Sequence, residues 1–294
     1  MNQSVILNEI QIENIRKQAI ALRRELGFIG EAPIANDIFT ILDNMNIRLL
    51  EYPIESNADK PAFSAALVYS KDGDEELVFI GLNTANYFDK QVFAIAHELY
   101  HYLTKTASHL SRMTEDEDNL FESEANRFAA EFLLPDSTLE SIILDEFKSS
   151  SLVKIQTKTL IRFIARLHCT WWLPYHSIVK KLREIDAISE IQYVGLYDID
   201  ERDMSGEYAL IGKAIDKDIF TKLNTSTNTI GTSPKDIEAI IRNFEDNIID
   251  EDQFNNILLT FGKKPDDFGY ETEISSEDLE EFESFFGEEA TNER

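Results

Sequence analysis

His97-Glu98-Leu99-Tyr100-His101 places two imidazoles four residues apart with a carboxylate directly after the first. On a helix, positions i and i+4 share one face, so both rings can reach a single metal ion. Glu98 sits beside that face, placed to act on a metal-bound water rather than on the metal. Zinc suits such a set because it accepts imidazole nitrogen and carboxylate oxygen in tetrahedral geometry, leaving a position for water. Metal binding lowers the pKa of that water and supplies hydroxide near neutral pH. A catalytic site of this kind needs a third protein ligand. Candidates lie in FESEANRFAAEFLLP, residues 121–135. Phe121, Ala125, Phe128 and Phe132 form the apolar stripe of that helix. At about 100° per residue, Glu122 and Asn126 fall on one flank of the stripe, and Glu124 and Glu131 on the other. Helical geometry alone does not choose between the flanks.

The elements that must position these groups follow from periodicity. Ile15, Ala19, Leu22 and Leu26 mark an amphipathic helix over residues 9–26, and Ile34, Ile38, Leu42 and Met45 a second one. IRLLEY (47–52), FSAALVYS (63–70) and LVFIGL (77–82) are rich in branched and aromatic residues and read as strands. The last two are joined through Asp72-Gly73 and are expected to form a hairpin. A helix should start near Asp89 as its N-cap and run through QVFAIAHELYHYL. Others should cover about residues 116–133, ending before Pro135, then 153–168 and 174–185. Helices, a small sheet, then more helices make an α+β fold.

The combination of VFAIAHELYHYL with ESEANRFAAEFLLP resembles the ImmA/IrrE family of zinc metallopeptidases, over about residues 10–190. The resemblance implies a mainly helical, zincin-like domain with a small β-sheet. It implies His97, His101 and Glu122 as zinc ligands, because Glu122 begins the family's E-x-x-A-N pattern, with Glu98 as general base. Asn126 would support the ligands from behind. Tyr100 departs from the pattern, since the family often has a small residue there. The resemblance further implies an endopeptidase whose protein substrate is a helix-turn-helix transcriptional repressor, cleaved to derepress mobile-element, stress or defence genes.

Other candidates carry less. His109, His168 and His176 read as surface or satisfied core residues. Cys169 beside His168 suggests a Cys-His nucleophile, but no third partner is apparent and a buried filler role is the simpler reading. Trp171 and Trp172 read as core. DIDERDMSG (198–206) begins like a calcium loop, yet Arg202 stands where an oxygen ligand is required and the sixth position is not Gly. There is no Gly-rich phosphate loop, and the Asp-Phe-Gly of KPDDFGY lacks any companion kinase motif.

The 294 residues carry 55 acidic against 28 basic side chains, net −27, with a single Cys. That balance weighs against direct nucleic-acid binding through a basic surface. One Cys excludes an intramolecular disulfide framework and fits a reducing cytoplasm. No secretory leader is evident in MNQSVILNEIQIENIRK, and no run reaches the length of a membrane span. Residues 1–190 hold 29 acidic and 19 basic side chains, whereas residues 191–294 hold 26 and 9. This shift sets the expected organisation: a metallopeptidase domain at 1–190, a regulatory or substrate-recruiting domain at 191–270, and an acidic tail at 271–294 that folds on a partner if at all. In the middle region YVGLYDI and EYALIGKAI read as strands and SPKDIEAIIRNFEDNI as a capped helix, giving a smaller acidic α+β region. Two functions of other classes compete with the peptidase. One is a non-catalytic acidic protein that sequesters a DNA-binding regulator, and the other a metal-dependent hydrolase of non-peptide bonds.

Overall fold

A computed structural model describes residues 7–28, 32–55, 63–72, 75–105, 110–112 and 120–270. The acidic tail at 271–294, the hairpin tip at Gly73 and His109 lie outside the described residues. Two compact units are present, Met1–Gly231 and Thr232–Arg294.

The first unit opens with α1 (Glu9–Glu25), started by a reciprocal cap between Asn8 and Gln11. Its buried stripe is Ile15, Ala19 and Leu22, as the periodicity requires, and it packs against α4 (Leu120–Leu133). Arg23 is also buried there and donates to the Phe132 carbonyl at 2.6 Å, satisfying a group near the end of α4. After α2 (Asp37–Asn44) come β1 (Ile47–Tyr52), β2 (Phe63–Asp72) and β3 (Glu75–Asn83). β2 and β3 form the expected antiparallel hairpin, with Leu67 opposite Ile80, and β1 runs parallel to β3. A short β4 (Leu110–Arg112) pairs with β2, giving the order β4-β2-β3-β1 for these four strands. Ala65, Leu67, Ile80 and Leu82 are buried from the sheet, which supports α3 (Phe88–Thr104).

Helices complete the unit: α5 (Asp136–Phe147), α6 (Thr157–Trp171), α7 (Tyr175–Glu184), α8 (Glu190–Tyr197), α9 (Glu207–Ile215) and α10 (Lys217–Leu223). The α+β class therefore holds, but YVGLYDI and EYALIGKAI are helical rather than extended. Ser189 and Gln192 cap each other's backbone and start α8, which overrides the strand preference of its Tyr and Val residues. α9 buries Tyr208, Ala209 and Gly212. A Cβ at Gly212 would fall 2.1 Å from the Phe220 ring, so only glycine lets α9 and α10 approach this closely.

Because α9 and α10 pack on α6, the first compact unit continues to Gly231, past the composition shift near residue 190. Charge per residue reports solvation, whereas this boundary is set by buried contacts. The second unit contains α11 (Pro234–Glu245), following Ser233-Pro234 as expected, and α12 (Glu251–Thr260), around a stack of Phe244 on Phe254 with Tyr270 at their edges.

Candidate metal centre

α3 and α4 lie side by side, and each presents part of the site from a buried face. α3 starts one residue before the expected cap: Tyr87 is its N-cap, and Asp89 lies inside the first turn, fully buried. The helix ends at Lys105, whose left-handed conformation (φ 51°) stops it one turn after His101. Over that span His97, Glu98 and His101 are all buried, as is Glu122 on α4.

The three expected ligands converge. His97 Nε2 lies 3.0 Å from Glu122 Oε2, His101 Nε2 lies 3.3 Å from Glu122 Oε1, and the two Nε2 atoms are 3.1 Å apart. A tetrahedral ion with ligands about 2.0–2.1 Å away has donor–donor edges of about 3.3 Å. The separations are close to such edges, with the two nitrogens meeting different oxygens of the Glu122 carboxylate. Two imidazole nitrogens and one carboxylate oxygen suit zinc-type divalent ions. His97, His101 and Glu122 are accordingly a group able to hold a metal ion.

Electrostatics favour a cation at the same point. Burial works to raise the Glu122 pKa, but the bonds from His101 and His97 outweigh it and hold the carboxyl well below its usual range. Burial works to lower the His97 pKa, but the bond to Glu122 and the charge of Glu98 carry it upward instead. Behind the donors, His97 Nδ1 lies 3.1 Å from Asn126 Oδ1. A carboxamide oxygen accepts, so this pairing assigns a proton to Nδ1, and an ion that replaces the Nε2 proton bonded to Glu122 would meet the Nε2 lone pair.

Glu124 faces elsewhere. Its Oε2 accepts from the Tyr100 hydroxyl at 2.9 Å and its Oε1 from Gln11 Nε2 at 3.2 Å. Tyr100 thus turns its hydroxyl to α4, with its ring tilted on Phe128 at 5.4 Å. The bulky residue that departs from the family pattern is a strut between α3 and α4. Glu131 also lies off the site, paired at 3.1 Å with the buried Lys181. Of the stripe on α4, Ala125, Phe128 and Phe132 are buried, whereas Phe121 is half exposed.

His168 is a satisfied core histidine: Nδ1 lies 2.7 Å from the Tyr208 hydroxyl and Nε2 3.2 Å from Asp89. Burial pushes the Cys169 thiol up to about 12, which removes the thiolate a nucleophile would need. Trp171 and Trp172 are core, and His176 is half-buried against the Tyr197 carbonyl and Glu201. Arg202, in the loop that resembles a calcium site, binds Asp89 instead. No spacing in the sequence signals that pair, because its members are 113 positions apart.

Residues 44–163, which carry His97, Glu98, His101 and Glu122, match the Peptidase_M78 family, described as an IrrE N-terminal-like domain. No curated protein matches the chain, and no solved structure does.

Proposed function

Since residues 44–163 match an IrrE N-terminal-like domain of the Peptidase_M78 family, we propose that the chain is a zinc-dependent endopeptidase acting on a protein substrate. The observation that carries this reading is the buried triangle of His97, His101 and Glu122 with Glu98 beside it on α3. Zinc held by the three donors would acidify a water molecule and polarise the scissile carbonyl. Glu98 takes the proton from the attacking water and returns it to the leaving amine as the peptide bond breaks. Asn126 keeps the His97 ring in the tautomer that presents Nε2.

The substrate is a helix-turn-helix repressor, and its cleavage derepresses mobile-element, stress or defence genes. Support comes from the family resemblance and from a net charge of −27, which raises the encounter rate with a basic DNA-binding protein. The reading places the protein in the cytoplasm. Among the described residues no helix is long and apolar enough to cross a membrane. Residues 191–270 and the acidic tail at 271–294 serve regulation or substrate recruitment.

The test is co-expression with the cognate repressor and comparison of its intact mass in the presence of wild type and of Glu98→Gln. Cleavage by wild type alone supports the proposal. An unchanged repressor in both rejects it under inducing conditions. The same charge also favours a second reading, in which the protein sequesters the regulator without cutting it. Repressor left whole yet released from DNA equally by wild type and by Glu98→Gln selects that alternative.

A further inference from the structure

The first turn of α3 is gripped from outside the family-matching stretch. Asp89 is fully buried, and one guanidinium nitrogen of Arg202 reaches both its oxygens, at 2.8 and 2.9 Å. The other terminal nitrogen of Arg202 donates to Asn224 Oδ1 at 2.6 Å, and the guanidinium lies over the Tyr87 ring at 4.2 Å. Asn224 begins a strap, residues 224–229, laid along residues 84–91. Phe88 N donates to the Thr225 carbonyl at 3.0 Å, Tyr87 and Ser226 form an antiparallel bridge, and Asn228 N donates to the Thr84 carbonyl at 3.0 Å. Just before the strap, Lys222 sets its ammonium 4.7 Å from the Phe88 ring and 4.6 Å from that of Trp172.

We propose that Arg202, Lys222 and the strap at 224–229 are positioning elements for the metal helix, fixing the rotation of α3 so that His97 and His101 meet Glu122. The inference rests on the metallopeptidase reading. A buried ion pair is seldom the cheapest way to stabilise a core, and a packed apolar pair often does as well. What a guanidinium spanning two fixed partners adds is direction. Direction matters here because α3 and α4 each bring only part of the ligand set. Rotating α3 by about 20° moves a side-chain tip, about 5–6 Å from the axis, by about 2 Å. That displacement equals a whole metal–ligand bond of about 2 Å. Continuous helix runs from Asp89 to His97, eight positions on, so the grip is transmitted rigidly.

The experiment titrates metal-free full-length protein with zinc against a chromophoric chelator, for wild type, Arg202→Lys and Lys222→Met. Arg202→Lys keeps the charge and loses the span from Asp89 to Asn224. Lys222→Met keeps the bulk between the two rings. Circular dichroism should stay that of wild type, while the zinc dissociation constant rises about tenfold for Arg202→Lys and about threefold for Lys222→Met. With a cleavable repressor, kcat should fall and KM stay constant. If Arg202→Lys does not fold, Lys222→Met decides. Wild-type zinc affinity in the folded variants overturns the positioning role alone. A wild type that binds no zinc overturns the metallopeptidase reading, and this one with it.

Discussion

The Oδ1 of Asn126 stands 3.1 Å from the Nδ1 of His97, on the side of the ring opposite the nitrogen that meets Glu122. One turn of α4 therefore supplies both a candidate ligand and the group that orients another ligand, four residues apart. Asn126→Ala frees the ring to rotate and to change tautomer. Zinc affinity should drop about 10- to 100-fold, with the melting temperature of the metal-free protein little changed. Competition against a chelator of known affinity reads the first and calorimetry the second. Unaltered affinity removes Asn126 from the site.

Glu122 and Glu124 make opposite predictions. Glu122→Ala should abolish stoichiometric zinc in protein purified without chelators, as counted by mass spectrometry. Glu124→Ala should keep its zinc and lose about 1–3 kcal/mol of stability, because the Tyr100 hydroxyl is left without its acceptor. Zinc retained in Glu122→Ala but lost in Glu124→Ala would exchange their roles.

The pH response of the metal-free protein follows from the same pair. His97 has its folded pKa raised, so its contribution is complete below the unfolded value of about 6.5 and disappears as pH climbs through the folded one. Glu122 has its pKa lowered, so its contribution is present above the unfolded value of about 4.3 and disappears as pH falls through the folded one. As pH rises above about 6.5, the metal-free wild type should lose more melting temperature than Glu122→Gln does. Equal losses would mean that the pair does not stabilise the fold. Zinc binding should run the other way and tighten over this range, since the ion competes with the proton on His97.

Away from the site, Lys181 is buried between Glu131 at 3.1 Å and Asp136, which also receives Arg127 and Arg16. Burial drives the Glu131 pKa up even with Lys181 present. Lys181→Met fits the volume but leaves Glu131 without its closest cation, and should destabilise by about 3–5 kcal/mol. Urea unfolding at neutral pH measures it as a lower midpoint at constant slope. A midpoint equal to wild type would show that Arg127 and Arg16 suffice for both carboxylates.

What the sequence made legible was local. The HExxH helix, the stripe on α4 and the β2–β3 hairpin are each written in periodicities of about two or about 3.6 residues, which survive without knowledge of neighbours. Choosing Glu122 over Glu124 needed either a family resemblance or the packing of α4 on α3, because both carboxylates border the same stripe. Asp89 looked like a helix cap for the same reason: its true partners, His168 and Arg202, lie 79 and 113 positions further on. α8 and α9 misled because Tyr, Val and Ile favour strands in isolation, while the Ser189–Gln192 cap and the close approach at Gly212 decide the outcome. α5 is not legible in the sequence because Pro135 marks the end of α4, although Pro is equally at home before the first turn of a new helix.

Tyr100 and Gln11 hold Glu124, and the two histidines hold Glu122, two residues earlier on α4. These carboxylates are about 200° apart around the helix axis. Adding or deleting one residue between Glu122 and Glu124 would turn one by about 100° against the other, so strut and metal face could not both engage. This stretch can therefore accept many exchanges of side chain over time but no change in length. Tolerance to insertion should begin only beyond Leu133, where α4 ends.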